Sequence, residues 1–324
     1  MVAYHMSEEE KEYLEQYDIT QFDRPSIATD VAVFSIMGKH NVTGKVQVQN
    51  EENYRKLPEK KLKLLLIKRA GYPYRNHWAL PGGFCRRNED VYETARRELY
   101  EETHVKDAYI NLCGIYGDVD RDPRGWIISH TFLALMDGEK CDLRVGSDAW
   151  EARWFDVELE GTEIQKTVKE SYALIENEYR ISLKNTDIGA TNIEVPAGEE
   201  TVCLSAVVRE KRECRNYHET TQYEIMENHG FAFDHAKIIT CAVLSLRKQV
   251  ETDGKIVFDL MPDMFTLTEL QKAFEIIQDK KLLVANFRRK IAPYVVETDQ
   301  MIEGAGHRPA KLFQRNLEQF FVGK

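Results

Sequence analysis

The sequence predicts an α+β domain followed by a small module of the helix-turn-helix type. Apolar runs of strand length, such as 127–135, recur along residues 26–160 and are interrupted by one helical pattern at 89–103. Within 265–292, two short amphipathic patterns are joined by a tight polar break, which is typical of a helix-turn-helix. The chain has 324 residues, enough for about two domains of ~150 residues each.

The elements of the first domain, which we place at 26–160, follow the hydrophobic pattern in chain order. Residues 1–25 form an acidic, helix-prone leader, and the polar stretch 38–58 is expected to be a loop. Strands are predicted at 27–36, 62–67, 78–83 (where the strand ends in a turn), 109–116, 127–135 and 152–155.

The rest of the chain divides into an elaboration and a C-terminal module. Residues 161–230 are expected to pack beside the first domain, with a charged hairpin pattern from Val202 to Met226. An apolar stripe from Ala236 to Val250 predicts a linker helix, and we place this helix together with the C-terminal module at 231–324.

Charge is divided unevenly along the chain. The net charge is −10, yet residues 265–324 carry ten Lys and Arg against seven Asp and Glu. A basic module in an otherwise acidic chain indicates nucleic acid as a partner of that module.

Composition excludes several classes of protein. No apolar run approaches the ~18 residues that a membrane span needs, and the start lacks the basic and apolar segments of a signal peptide. The six cysteines include no CxxC pair, which argues against a zinc site and against a disulfide framework. We therefore expect a cytoplasmic protein that does not contact membranes.

Three glutamates give the predicted helix of the first domain its chemistry. Glu98, Glu101 and Glu102 are spaced i, i+3 and i+4, so they share one helical face. Like charges at this spacing repel, and a hard divalent cation such as Mg²⁺ or Mn²⁺ would relieve the repulsion. Glycines just before the helix would let a backbone carbonyl approach the metal and the loop approach a phosphate. A solvated, glutamate-rich surface helix is the alternative.

The whole pattern resembles the Nudix box. Gly83 is followed after five residues by Glu89, and after seven more by the run Arg97-Glu98-Leu99-Tyr100-Glu101-Glu102. The resemblance implies an α/β/α sandwich. It also implies hydrolysis of a nucleoside diphosphate linked to another group, with water attacking phosphorus.

The resemblance further implies roles for the residues of the box, with Mg²⁺ or Mn²⁺ as the cofactor. The metal ligands are implied to be Glu98 and Glu102 as the main pair, Glu101 as the third carboxylate, and the carbonyl of Gly82. The residues implied to brace the loop against the helix are Gly83, Glu89 and Arg97.

His104 departs from the family pattern, which has Gly at this position. The position ends the helix, where glycine adopts the left-handed conformation cheaply. His tolerates a positive φ better than most side chains, so we expect a stability cost of about 1 kcal/mol and no change at the metal ligands.

Residues outside the box are candidates for the general base and for substrate binding. Glu151 is the candidate base, with Asp148 as an alternative and an ordinary surface acid as the other interpretation. The loop 116–126 resembles that of Nudix proteins that handle ADP-ribose, and its Arg121 and Arg124 would pair with the diphosphate. A tight Asp-Pro turn with solvated arginines explains them equally well. Two weaker candidates of the same kind, at a strand end, are Lys68 and Arg69.

The C-terminal pattern predicts a winged helix-turn-helix. A basic second helix runs from Val284 to Ala292 and stops at Pro293, and residues 294–297 and 310–314 are expected to pair as the wing. The residues expected to contact double-stranded DNA are Asn286, Arg288, Arg289, Lys290, Arg308 and Lys311. Of these, Arg308 would reach a minor groove from the wing tip. A solvated basic face is the alternative.

The combination resembles the Nudix-related transcriptional regulators of NAD metabolism, through the box, the run Phe231–His235, the run 286–290 and the run 306–310. The resemblance implies ADP-ribose or a related nucleotide as ligand, double-stranded DNA as partner, and a homodimer that binds paired half-sites.

Two functions stay open. One is a Mg²⁺-dependent hydrolase that converts ADP-ribose to AMP and ribose 5-phosphate. The other is an ADP-ribose-sensing repressor of NAD or sugar metabolism genes with weak or no catalysis. The complete set of box carboxylates favours the hydrolase.

Overall fold

The structure, a computed structural model, describes residues 6–38, 60–106, 108–138, 141, 143, 149–185, 190–191, 201–302 and 310–321. The helices are α1 (Glu8–Gln16), α2 (Val91–Thr103), α3 (His235–Thr252), α4 (Leu267–Gln278), α5 (Val284–Ile291) and α6 (Leu317–Phe321). None of these helices is both long enough and apolar enough to cross a membrane. Short 3₁₀ turns lie at Ile19–Gln21, Gly254–Leu260 and Ala292–Tyr294. Apart from residue 38, the predicted loop at 38–58 lies outside the described residues.

The structure has a larger sheet, formed by strands within the first 230 residues, and a two-stranded sheet that forms the wing. The strands are β1 (Ser26–Met37), β2 (Lys61–Arg69), β3 (Trp78–Ala79), β4 (Gly82–Phe84), β5 (Tyr109–Tyr116), β6 (Ile127–Leu135), β7 (Ala149–Lys169), β8 (Tyr172–Asn185), β9 (Ala190–Thr191), β10 (Val202–Arg215), β11 (His218–His229), β12 (Val295–Ile302) and β13 (Ala310–Arg315).

One mixed sheet has helices packed on both faces. Its main path runs β11-β10-β8-β7-β2-β1-β6-β5, with β3, β4 and β9 added to β2, β1 and β7. Alternate residues of β1 point to opposite sides. Val31 and Val33 share a buried cluster with Leu99 of α2, whereas Ala32 and Phe34 belong to the cluster that contains α3. The α/β/α sandwich implied by the sequence is therefore present.

Helix α2 begins and ends at local sequence signals. The Asp90 carboxylate accepts from the Glu93 N–H, and the Glu93 carboxylate accepts from the Asp90 N–H, which is a reciprocal capping box. After the last turn, His104 has φ 57° and ψ 12°, and its N–H donates to the Tyr100 carbonyl at 2.9 Å. The expected left-handed conformation of His104 is confirmed.

Two long hairpins extend the sheet. Strand β7 is 21 residues long, so the prediction of a strand at 152–155 was too short. The outer half of β7 is exposed at most positions, and apolar alternation is missing there because no core covers it. The hairpin expected between 202 and 226 is present as β10 and β11. The domain boundaries at 160 and 230 stay predictions.

Helix α3 carries a continuous core from the sheet into the C-terminal module. The predicted apolar stripe is fully buried, at Ile238, Ile239, Ala242, Val243 and Leu246. It shares one cluster with Phe34 of the sheet, Phe274 of α4 and Phe287 of α5. The two parts of the chain are thus joined by packing as well as by sequence.

The C-terminal module has the order of a winged helix-turn-helix. Thr266 and Glu269 form a capping box at the start of α4, and α5 buries Phe287. Strands β12 and β13 pair antiparallel, and Phe265 adds an isolated bridge to Phe313. The tip of the wing, including Arg308, lies outside the described residues.

Candidate functional site

The glycine-rich loop is held closely between β1 and α2. Gly82 and Gly83 pair with Asp30 and Thr29 of β1. A Cβ on Gly82 would overlap the Thr29 carbonyl, and a Cβ on Gly83 would overlap Glu98 Oε1. Position 82 therefore needs glycine because a backbone carbonyl occupies the space of a Cβ, and the missing side chain of Gly83 lets the Glu98 carboxylate approach the loop backbone.

Arg97 ties this loop to the helix. Its Nε donates to both carboxylate oxygens of Glu89, at 2.9 and 3.1 Å, and its Nη2 donates to the Phe84 carbonyl at 3.3 Å. These hydrogen bonds from Arg97 lower the pKa of Glu89. The structure thus brings Glu89 and Arg97 into contact, and their bracing role stays a prediction.

The three glutamates of α2 occupy different environments. Arg97 Nη1 lies 2.6 Å from Glu98 Oε1 and 3.4 Å from Glu101 Oε1. Burial raises the pKa of Glu98, and the hydrogen bond from Arg97 opposes that shift. Glu102 is 7% exposed, whereas the Glu101 side chain is half-exposed.

The chemistry of these groups suits a divalent cation, although they do not converge in this conformation. Across the described ranges, no three Asp, Glu, His or Cys side chains are arranged to hold a metal ion. Glu98 is instead directed toward Arg97. Carboxylate and carbonyl oxygens are the ligands that Mg²⁺ prefers, and a cation would stabilise the charge of the partly buried Glu98 carboxylate.

The structure does not bring Glu151 and Lys68 to the acidic face of α2. Ile67 pairs with Ala152, which belongs to the α2 cluster, so their neighbours Lys68 and Glu151 point to the other face. There the Glu151 carboxylate pairs with Arg153 and lies 4.0 Å from Lys68 Nζ. The sequence could not reveal this side because it depends on the pairing register. Asp148, the alternative base, lies outside the described residues.

The structure places the Arg121 side chain in a buried contact, and its role as a diphosphate ligand stays a prediction. Its Nε and Nη2 donate to the two carboxylate oxygens of Asp234, at 3.2 and 2.8 Å. The side chain is almost fully buried, and Asp30 Oδ2 lies 3.8 Å from Nη2. Bidentate pairing with a carboxylate uses the donor geometry that a diphosphate would need.

Arg69 and Arg124 both contact the ring of Phe233. Their guanidinium carbons lie 4.8 and 5.4 Å from its centroid, and Arg124 also lies 5.1 Å from the centroid of Phe84. Arg124 donates to Asp122 through Nε and Nη2 at 3.0 and 2.7 Å. Phe84 directly follows the two glycines and is exposed, so Arg124 stands beside the loop.

The sequence analysis missed the side chains on which these arginines converge. Phe233 and Asp234 directly precede α3, His235 is its first residue, and Asp30 of β1 lies 3.6 Å from His235 Nε2. Phe233 has a positive φ of 50°, which is uncommon outside glycine. The signal in the sequence was the run of aromatic and charged residues directly before a fully apolar helical stripe.

The predicted DNA-binding side chains of α5 form one exposed surface. Asn286, Arg288, Arg289 and Lys290 are exposed, and Asn286 Oδ1 accepts from Arg289 Nη2 at 3.2 Å. On the wing, Lys311 pairs with Glu297. The sequence analysis missed two apolar residues at the start of the same helix, since Leu283 is 73% exposed and Val284 is 52% exposed.

Two family models match the chain. Residues 55–176 match the NUDIX domain, and residues 257–314 match the NrtR DNA-binding winged helix domain. The chain joins a Nudix domain to an NrtR winged helix domain. The Nudix match contains the glycine loop and α2, and the winged helix match contains α4 and α5.

The chain is also similar to individual proteins. The "ADPR responsive transcriptional repressor NtrR" of Acinetobacter baylyi is 25% identical over 315 residues, which cover 96% of this chain and 90% of that protein. The ADP-ribose pyrophosphatase of Methanocaldococcus jannaschii is 46% identical over 100 residues, which cover 31% of this chain and only 57% of that protein.

Solved structures share the complete fold. A MutT/nudix family protein from Enterococcus faecalis matches with a TM-score of 0.57 and 24% identity, over 97% of this chain and all of that one. Shewanella oneidensis NrtR in complex with a 27mer DNA matches with a TM-score of 0.52 and 21% identity, over 90% of this chain and 94% of that one. These matches extend the common fold across both domains.

Proposed function

We propose that the Nudix domain is a Mg²⁺-dependent pyrophosphohydrolase of a nucleoside diphosphate derivative and that the winged helix domain binds DNA. ADP-ribose is the first candidate substrate, and its cleavage would give AMP and ribose 5-phosphate. The observation that carries the proposal is the close packing of the Glu98 carboxylate on Gly83, which places the acidic face of α2 at the glycine loop.

Glu98, Glu101, Glu102 and the Gly82 carbonyl would hold Mg²⁺ or Mn²⁺, which supplies Lewis acid chemistry at the phosphoryl oxygens and activates water. Arg97 fixes Glu98 through a 2.6 Å hydrogen bond before any cation arrives. The hydrogen bond from Arg97 to the Phe84 carbonyl links the glycine loop to the helix.

Arg124 is the cation best placed to meet a phosphate group. Its guanidinium lies close to the ring of Phe233 and to that of Phe84, the residue that follows the two glycines, and its side chain is partly exposed. Its Nε and Nη2 already donate to Asp122, so a phosphate oxygen would meet the remaining nitrogen, Nη1. Phe84 offers an exposed ring for a nucleobase or sugar beside this guanidinium.

The DNA-binding part of the proposal is supported by the exposed basic surface of α5. A recognition helix enters the major groove, and dimers read two half-sites about one helical turn apart. We therefore propose a homodimer that binds double-stranded DNA through Asn286, Arg288, Arg289 and Lys290. Arg308 and Lys311 on the wing would add contacts to the backbone or the minor groove.

A second candidate is an ADP-ribose-sensing repressor in which hydrolysis is weak or absent. It is favoured by the near full-length similarity to a protein named as an ADPR responsive transcriptional repressor. The direction of Glu98 toward Arg97 also fits a pocket that binds ligand without holding a metal tightly.

One experiment separates these functions. The purified full chain is incubated with ADP-ribose and Mg²⁺, Mn²⁺ or EDTA, and AMP is measured by ion-exchange chromatography. In parallel, binding to a random-sequence duplex library is followed by sequencing of the retained DNA. Metal-dependent AMP release supports the hydrolase, and enriched DNA without AMP supports the sensing repressor. The absence of both AMP release and DNA enrichment would refute both functions.

A further inference from the structure

The segment just before α3 is hydrogen-bonded to Trp78 of β3. The Trp78 N–H donates to the Gly230 carbonyl at 2.9 Å, and the Ala232 N–H donates to the Trp78 carbonyl at 2.8 Å. Phe231 forms a parallel bridge with Trp78. The chain that leads to the winged helix domain therefore lies beside β3, just before the glycine loop.

His235 continues this contact with its side chain. The backbone N–H of Leu80 donates to His235 Nδ1 at 2.9 Å, although the two residues are 155 positions apart. Leu80 is 2% exposed and His235 is 4% exposed, so no water replaces this acceptor easily. Because an N–H faces Nδ1, the ring proton is on Nε2.

The other edge of the ring faces Asp30 directly behind the loop. His235 Nε2 lies 3.6 Å from Asp30 Oδ1, and Ser129 Oγ donates to Asp30 Oδ2 at 2.5 Å. A Cβ on Gly82 would lie 2.9 Å from Asp30 Oδ1. His235 and Asp30 thus bound the loop backbone from Leu80 to Gly82.

The first turn of α3 is fixed to the same domain by charges, and the later part of the helix reaches the winged helix domain. Lys237 Nζ lies 2.5 Å from Asp118 Oδ2, and Arg121 pairs with Asp234. Farther along α3, Arg247 Nε donates to the Ile277 carbonyl of α4 at 3.1 Å. One rigid helix therefore contacts both the glycine loop and the helix-turn-helix.

We infer that His235 is a positioning residue for the Nudix loop: its Nδ1 holds the Leu80 N–H so that the Gly82 carbonyl stays at the candidate metal site, and it ties that loop to α3. The inference rests on the proposed function of the Nudix domain. It means that His235, which lies outside the Nudix box, helps to set the position of the loop within the box.

Two substitutions of His235 by neutral amides distinguish the role of the Nδ1 acceptor from that of the ring as a whole. His235→Asn places an amide oxygen near the position of Nδ1 and keeps an acceptor for Leu80. His235→Gln extends toward the position of Nε2 and leaves the Leu80 N–H without one. Thr240→Val is the matched control, because its buried hydroxyl donates only within α3, to the Ala236 carbonyl at 2.8 Å.

The full-length variants are compared by amide hydrogen exchange of Leu80 without added metal and by the hydrolysis of ADP-ribose with Mg²⁺. We expect Leu80 to exchange about 10-fold faster in His235→Gln than in the parent, with a comparable loss of turnover. His235→Asn and Thr240→Val should stay close to the parent.

Equal exchange and equal turnover in the Asn and Gln variants would overturn the inference. Loss of folding in both variants would also overturn it, because His235 would then serve the core alone. If the parent chain does not hydrolyse ADP-ribose, the proposed hydrolysis of that substrate fails, and the exchange rates still decide whether His235 holds the loop.

Discussion

The guanidinium of Arg97 donates to the carboxylate of the next residue, Glu98, with Nη1 and Oε1 2.6 Å apart. The same guanidinium contacts Glu89 and the Phe84 carbonyl. One side chain therefore contacts both a proposed metal ligand and the loop opposite it. A planar group with five donors can do this, and a single ammonium cannot.

Arg97→Lys should lower the turnover of ADP-ribose about 10-fold or more at saturating Mg²⁺, because lysine cannot reach all three partners. Turnover is measured as AMP released per protein molecule, and circular dichroism checks the fold. Arg96→Lys is the matched control, since Arg96 is the exposed neighbour on the same helix. If both variants turn over equally, Arg97 does not position the site.

Glu102→Gln should lower turnover by a factor on the order of 10³ while keeping the size of the side chain. The amide removes the negative charge that the cation needs, and Glu102 is one of the less exposed box carboxylates. Glu12→Gln, on the exposed leader helix, removes one charge elsewhere and should leave turnover unchanged. Full activity of Glu102→Gln would exclude the proposed metal site.

His104→Gly should raise the free energy of unfolding by about 1 kcal/mol, because a left-handed residue with a Cβ is strained. The measurement is urea denaturation at constant pH. His104→Ala keeps the Cβ and the strain, so it should not stabilise the chain. A similar gain in both variants would show that the imidazole, and not the backbone, carries the cost.

Local signals were sufficient for much of the fold. The bounds predicted for β5 and β6 match the structure, because each strand is a short run with turn residues at its ends. The buried stripe of α3 and the left-handed His104 also follow from residues within one or two helical turns. Strand β7 exceeded its prediction because an exposed strand lacks alternation.

The surroundings of the predicted site residues depend on contacts between distant parts of the chain. Arg121 pairs with Asp234, 113 residues away, and no local pattern indicates that partner. Glu151 lies on the face opposite to α2 because of its register with Lys68. A single sequence indicates which groups are present, whereas the pairing of distant strands decides which of them meet.

Arg288→Ala combined with Arg289→Ala should abolish binding to the DNA selected by the parent chain and leave hydrolysis intact. Both side chains are exposed on α5 and far in sequence from the Nudix box. Binding of the parent should also weaken steeply with salt, since phosphate contacts release counterions. The measurement is fluorescence anisotropy at several salt concentrations.

A control for that double variant removes the same charge elsewhere. Lys166→Ala combined with Lys169→Ala acts on exposed residues of β7, which belongs to neither α5 nor the wing. It should bind DNA almost like the parent. Equal binding by both double variants would mean that α5 is only a solvated basic face.

Ligand and DNA should be coupled through α3. The N-terminal end of this helix contacts the loop through His235, and Arg247 farther along contacts α4, so a change at the nucleotide site reaches the helix-turn-helix through one rigid element. A ligand shifts this equilibrium only if it binds the two conformations unequally. We expect saturating ADP-ribose to weaken DNA binding roughly 5- to 100-fold, which corresponds to about 1–3 kcal/mol. The titration uses Glu102→Gln, so that ligand is not consumed. Equal DNA affinity with and without ADP-ribose would exclude ADP-ribose as the effector and favour the hydrolase function. An effect of another nucleotide would keep the sensor and change its ligand.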